Sequence, residues 1–328
     1  MRTFLISLLL ISGSLFNIHA QKTELKFNPD GKFKILQLTD VHYIYGKPEA
    51  QIALDNIDAV LAAEKPDFIV ITGDIIYGKP ARESMQTVME HVSKAGKPFV
   101  ALFGNHDDEN GLSRKELLEI IRSYPLSLNT TVEGIHGVTN QVLTLKNKDG
   151  KPEMAFFCFD SNAYSAIKGV KGYDIIRFDQ IEWYRRQSEQ FKADNGGVPL
   201  PALAFFHIPF PEYAQAASDE RKPLIGSRTE YVTCPALNSG LFTSMKEMGD
   251  VIATFVGHDH DNDYVTVFQG MLLGYGRYSG ANTVYNHLKP NGCRVIELTK
   301  GEEGLKTWIR LRDGRIINEV AFPEDFAR

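Results

Sequence analysis

Five runs of Ile, Val, Leu, Phe and Ala recur along the chain, at residues 33–39, 68–73, 98–104, 202–207 and 251–258, and each stops abruptly at a polar residue. Apolar runs this continuous, with little in-and-out alternation, suit strands covered on both faces, as in α/β sheets. Between them the apolar spacing changes to that of helices. Residues 48–64 carry Ile52, Ile57, Val60 and Leu61, residues 83–94 carry Met85, Val88, Met89 and Val92, and residues 178–191 place Ile181, Tyr184 and Phe191 together, the pattern of one buried face. Ser113 and Glu116 have the spacing of a capping box opening a helix through Ile121. These helices are expected to cover sheets. Further strands are expected at 142–145, 155–159, 265–273 and 294–298. Residues 208–240, rich in Pro, Ser and Gly, suggest one long loop. Such loops often act as lids or substrate walls, and Tyr213, Arg228, Tyr231 and Asn238 are its candidate specificity residues.

The residues that end the five runs carry the chemistry. They are Asp40-Val41-His42, Gly73-Asp74, Gly104-Asn105-His106-Asp107, His207 and Gly257-His258-Asp259-His260. In open α/β sheets the loops beyond the carboxyl ends of the strands form the ligand crevice, so five such segments can meet at one place. Carboxylate oxygen with imidazole nitrogen favours Zn, Mn or Fe over Ca, which prefers all-oxygen shells. The lack of cysteine among these residues argues against a closed structural zinc site. Two ions about 3.5–4 Å apart can share a hydroxide of lowered pKa and clamp both the entering and the leaving oxygen of an in-line displacement, which phosphoryl transfer needs most. His19, His91, His136 and His287 lack the strand-end placement and are expected to be ordinary histidines.

The ordered set DxH, GD, GNHD, a single His and GHxH resembles the calcineurin-like metallophosphoesterase superfamily, over residues 32–299. The resemblance implies a four-layer α-β-β-α sandwich, two packed mixed sheets flanked by helices, where composition and periodicity alone give only α/β. It also implies a first metal on Asp40, His42 and His260, a second on Asn105, His207 and His258, and Asp74 bridging the two. Asn105 and His106 then face the substrate phosphate, where His106 can stabilise charge and protonate the leaving oxygen. Asp107 is expected to orient that imidazole or to face solvent. Gly73-Asp74-Ile75-Ile76-Tyr77 matches the GDxxY motif of purple acid phosphatases, whose tyrosine ligates ferric iron, yet those enzymes carry DxG where this chain has Asp40-Val41-His42. The chain thus resembles a purple-acid-phosphatase-like branch that keeps DxH, with Tyr77 expected to pack as an aromatic rather than to ligate. Arg277, in a glycine-rich turn from Gly274 to Gly280, is a candidate to grip phosphate bidentately, with a plain surface arginine as the alternative.

Composition adds a frame. The 328 residues show no break or repeat, so residues 21–328 are expected to form one catalytic domain. Arg2, the apolar stretch at residues 4–10 and Ala20-Gln21 suggest a secretory signal peptide over residues 1–20, with an apolar core too short for a membrane span. A periplasmic or secreted location follows. A net charge of −5 without a basic stripe gives no nucleic-acid surface, and neither stable membrane insertion nor an oligomeric state is indicated. Of three cysteines, Cys158 suggests a buried thiol, while pairing of Cys234 with Cys293 stays open. The expected function is hydrolysis of small-molecule phosphomonoesters by attack of a metal-bound hydroxide, with two divalent or trivalent ions (Fe, Mn or Zn). The alternatives are a phosphodiesterase acting on nucleotides or phospholipid head groups, and a binding protein that has lost its chemistry.

Overall fold

The computed structural model describes residues 23–327. Among them, strands β1 (Leu25–Lys26), β2 (Lys32–Leu38), β3 (Phe68–Thr72), β4 (Phe99–Leu102), β5 (Gln141–Lys146), β6 (Pro152–Cys158), β7 (Ala202–Phe205), β8 (Leu224–Ile225), β9 (Val251–Val256), β10 (Val265–Phe268), β11 (Met271–Tyr275), β12 (Gly292–Thr299), β13 (Leu305–Leu311) and β14 (Ile316–Phe322) build two sheets. One has the order β14-β13-β12-β2-β3-β4 and the other β1-β5-β6-β7-β9-β11-β10-β8. Both are mixed: β2, β3 and β4 are parallel, as are β6, β7, β9 and β11, while β12–β14 and β10 run antiparallel to their neighbours. The predicted signal peptide lies outside the described residues.

Strand alternation explains why the runs are apolar throughout. In β3, Phe68 and Val70 enter a core between the sheets, whereas Ile69 and Ile71 enter a second core under α1 (Gln51–Glu64), α2 (Ala81–Ser93) and α3 (Arg114–Arg122). In β7, Leu203 and Phe205 face the inter-sheet core while Ala202 and Ala204 face a third core under α4 (Phe178–Asp194), α5 (Glu212–Ser218) and α6 (Leu241–Met248). With apolar layers on both faces, these strands are apolar up to their carboxyl ends, where Thr72 closes β3. The result is the expected four-layer sandwich. Helix α3 opens with the Ser113–Glu116 capping box in both directions.

Several expectations change. Residues 265–273 form a hairpin rather than one strand, turned at Gln269 (φ 48°) and Gly270 (φ 79°), the two-residue loop with positive φ that matches strand twist. The 208–240 segment is not one loop, since it contains α5 and β8. Tyr213 is buried with its hydroxyl on Thr254. Arg228 donates to the Ala217 carbonyl and Asn238 to Glu212. Phe191 is only half-buried, and Trp183 takes a place in the core instead. The hairpin of β13 and β14 was not anticipated, because Lys306, Arg310, Asn318 and Glu319 interrupt its apolar positions.

Arg294, on β12, joins the two sheets. It is fully buried, and its guanidinium donates to the Tyr275 carbonyl at 2.6 Å, the Asp263 carbonyl at 2.6 Å and Thr307 Oγ1 at 2.9 Å. Burial lowers its pKa to about 10, which still leaves it charged at neutral pH. Arg294→Met strands two buried carbonyl oxygens without donors, and unfolding in urea is expected to show a loss of about 2–4 kcal/mol. A variant of unchanged midpoint would show that the guanidinium does not bind the sheets together.

Candidate metal centre

The strand-end residues converge. Asp40 and His42 follow β2, Asp74 follows β3, Asn105 follows β4, His207 follows β7 and His258 follows β9, so both sheets deliver donors from their carboxyl ends. Asp40, His42 and His260 form one buried group, and Asp74, His207 and His258 a second. Asp40 Oδ1 lies 3.8 Å from His42 Nε2, 3.7 Å from His260 Nε2 and 3.9 Å from His207 Nε2. Asp74 Oδ2 lies 3.7 Å from His42 Nε2 and 3.2 Å from His207 Nε2. Each carboxylate therefore presents one oxygen to imidazoles of both groups.

The backbone is bent to achieve this. Asp40 (φ 52°), His42 (φ 46°), Asp74 (φ 50°) and His258 (φ 80°) all adopt left-handed conformations, which cost non-glycine residues energy and persist only where surroundings enforce them. Asp107 supplies much of that enforcement. Its buried carboxylate accepts from the backbone N–H groups of Asp74 (3.0 Å), Ile75 (2.8 Å), Ile76 (3.2 Å) and Gly104 (2.8 Å). It neither orients His106 nor faces solvent. Asp74 Oδ1 in turn accepts the His106 backbone N–H at 2.9 Å, and Asp40 Oδ2 accepts from Thr39 Oγ1 at 2.7 Å and from the His258 N–H at 3.0 Å. The motif glycines serve this closeness. A Cβ at Gly104 would fall 2.1 Å from Asp74 Oδ1, and one at Gly257 would fall 1.8 Å from Thr39 Oγ1.

Hydrogen bonds also set which ring nitrogens turn inward. His207 Nδ1 donates to the Thr72 carbonyl at 2.7 Å and His260 Nδ1 to the Tyr285 carbonyl at 2.8 Å, the outer-sphere arrangement that frees Nε2 for a metal. His207 Nε2, His42 Nδ1 and both polar atoms of the Asn105 amide are buried without a partner. His42 Nε2 and His260 Nε2 face each other at 3.0 Å. Burial holds His42 and His258 well below the usual histidine range, as neutral imidazoles. Burial also lowers His207, but Asp74 and Asp40 outweigh it and raise that imidazole to about 9. Unpartnered nitrogen, amide and carboxylate donors converging in a dry space fit metal ions of the Zn, Mn or Fe kind.

His106 stands at the mouth of this centre, its ring 5.6 Å from that of His42. Its Nδ1 donates to Glu109 Oε2 at 2.7 Å, and Glu109 Oε1 accepts from Tyr164 at 3.1 Å. Glu109 was missed in the sequence, although the i,i+3 spacing from His106 is the one a tight turn would close, and the Glu109 N–H does bond the His106 carbonyl. Tyr77 packs edge-on against His42 at 5.2 Å and His106 at 4.9 Å. Arg277 does not enter the centre. It is 3% exposed, with its guanidinium on Asp263 at 2.6 Å and on the Pro290 carbonyl at 2.7 Å, so it is neither phosphate grip nor surface residue. The three thiols are unpaired, and burial in β6 pushes Cys158 up to about 12.

Two clusters of metal donors at the strand ends of a four-layer sandwich define a metallophosphoesterase. The family model for calcineurin-like phosphoesterases matches residues 33–262, and the chain belongs to that family. It is 32% identical over 341 residues to the probable inactive purple acid phosphatase 29 of Arabidopsis thaliana, covering 90% of this chain and 86% of that protein. It is 33% identical over 326 residues to phosphatase DCR2 of Saccharomyces cerevisiae, covering 86% of this chain and 54% of that protein. A dimetal phosphatase from Danio rerio has a similar structure, with a TM-score of 0.62 at 14% identity, covering 88% of this chain and 98% of that one.

Gly104→Ala drives a methyl group into the Asp74 carboxylate, and relief of such overpacking typically costs about 1–3 kcal/mol. The variant is expected to fold and to bind metal roughly tenfold or more weakly in equilibrium dialysis. Undiminished affinity would show that Asp74 is not confined by this approach.

Proposed function

We propose that the protein is an exported phosphomonoesterase that works with two metal ions. Asp40, His42 and His260 would hold one ion and Asn105, His207 and His258 the other, with Asp74 between them. The complete donor set, with His106 aimed across it by Glu109, is the observation that carries this reading. Names of relatives such as the Arabidopsis protein contain the word inactive, but this chain has every donor the chemistry requires. The purple acid phosphatase and phosphatase names of its relatives favour a monoester substrate. Among the described residues no helix is long and apolar enough to cross a membrane, and export rests on the amino-terminal sequence pattern.

Bound there, the ions supply Lewis-acid charge for the phosphoryl oxygens and lower the pKa of a coordinated water. The protein does the rest. Asn105 offers an amide with no other partner to a phosphoryl oxygen. His106, with Nδ1 fixed by Glu109, presents Nε2 to the ester oxygen and delivers a proton as the P–O bond breaks. Tyr77 against the rings of His42 and His106 restricts their tilt. The positive φ angles keep the donors apart at fixed positions, so substrate meets a site that needs little rearrangement.

Metal analysis of the mature protein is expected to give about two ions per chain, with turnover of p-nitrophenyl phosphate lost on chelation and restored by metal. Faster turnover of bis-p-nitrophenyl phosphate would replace the monoesterase with a diesterase, and a metal-loaded protein inert towards both would point to a binding role. Asp74→Ala is expected to lose both ions. His106→Ala should keep them and lower kcat by about 10²- to 10⁴-fold, whereas metal loss in that variant would place His106 among the ligands. Glu109→Gln is expected to lower kcat less, with KM nearly unchanged.

A further inference from the structure

The rim of the metal centre is aromatic. Tyr285 lies over His260 with ring centroids 4.4 Å apart and planes inclined by 25°, yet it is 54% exposed. At the other cluster Tyr164 stacks on Tyr173 at 5.7 Å and 22°, Tyr173 meets the His258 ring at 4.4 Å, and Tyr164 is 51% exposed. Each exposed ring is thus backed on one face and open on the other. Tyr164 is also tethered at the hydroxyl, to Glu109. Rings immobilised in this way offer contact area at little further entropic cost.

Two guanidinium groups near the site loops are taken up by carboxylates, Arg114 by Asp160 and Asp108 and Arg277 by Asp263. Glu109 is bonded to both His106 and Tyr164, and Asp108 is paired with Arg114, so the tyrosine rings rather than unpaired charge set the character of this surface.

We propose that Tyr164 and Tyr285 form a subsite for the leaving group. On the phosphatase reading above, the substrate is then a phosphomonoester of an aromatic alcohol. The phosphoryl group sits over the donor clusters, and the aromatic ring stacks on the open face of a tyrosine while its ester oxygen stays within reach of His106. Polyphosphates and sugar phosphates gain nothing from this subsite.

Calorimetric titration of the metal-loaded protein with benzylphosphonate and cyclohexylmethylphosphonate tests the idea, since the two have the same charge and similar size and differ in the flat π face. Inorganic phosphate serves as the probe of the metal centre itself. Benzylphosphonate is expected to bind about 3- to 10-fold more tightly than its saturated partner. The ratio, read within each protein so that changes at the metals cancel, should fall to about twofold or less in Tyr164→Leu/Tyr285→Leu. It should survive in Tyr164→Phe/Tyr285→Phe, which keeps the rings and removes the hydroxyls. Equal binding in the parent protein, no binding of either phosphonate, or an undiminished ratio in the double Leu variant overturns the subsite. Binding needs no turnover, so a protein that shows the ratio but hydrolyses no phosphoester would sink the phosphatase reading and leave the subsite standing.

Discussion

Two buried carboxylates pointing at the same imidazoles are the constraint to which the rest of this molecule answers. Asp40 and Asp74, both buried, each hold an oxygen within 4 Å of histidines from both clusters. Charges buried in this way are costly unless met by a counter-charge. Among the described residues no lysine or arginine meets them directly; the guanidinium of Arg114 stands behind the site on the Gly104 carbonyl and on Asp160. The arrangement is one that a pair of cations stabilises and that a folded chain alone tolerates at a cost.

That cost falls on the scaffold. Four donors sit in left-handed backbone conformations, and three of the motif glycines leave no room for a methyl group against Asp74, Thr39 or His207. Such strain persists because the strands beneath cannot shift. Their side chains fill an inter-sheet core on one face and a helix-covered core on the other, and close packing resists small displacements. The Asp107 carboxylate and the Arg294 guanidinium serve the same end by different means. One gathers backbone N–H groups of two site loops, and the other ties carbonyl and hydroxyl groups across the sheets.

The sequence made this scaffold legible where a physical rule left only one outcome. Strands sandwiched between two apolar layers are apolar on both faces over most of their length, so β2, β3, β4, β7 and β9 stood out, and the donors just beyond them followed. Helices α1 and α2 were legible for the same reason. Long polar side chains were not, because their direction depends on partners distant in the chain. Arg277 has the composition of a phosphate grip, but Asp263 lies close enough to take it. Asp107 looked like a companion of His106, yet four N–H groups claim it. The β13–β14 hairpin was hidden because one of its faces is exposed and its polar residues break the apolar run.

The rim has the same logic as the centre but the opposite chemistry. Inside, donors converge without partners, and a cation is the natural complement. Outside, tyrosines are held at one face, and a flat group is the natural complement. The two regions share members: Glu109 orients His106 through one oxygen and tethers Tyr164 through the other, and His260 lends one nitrogen to the donor cluster while its ring supports Tyr285. A change at the rim therefore reaches His106 through a single carboxylate. On the proposed reading, the choice of leaving group and the delivery of the proton to it would be set by the same small group of side chains.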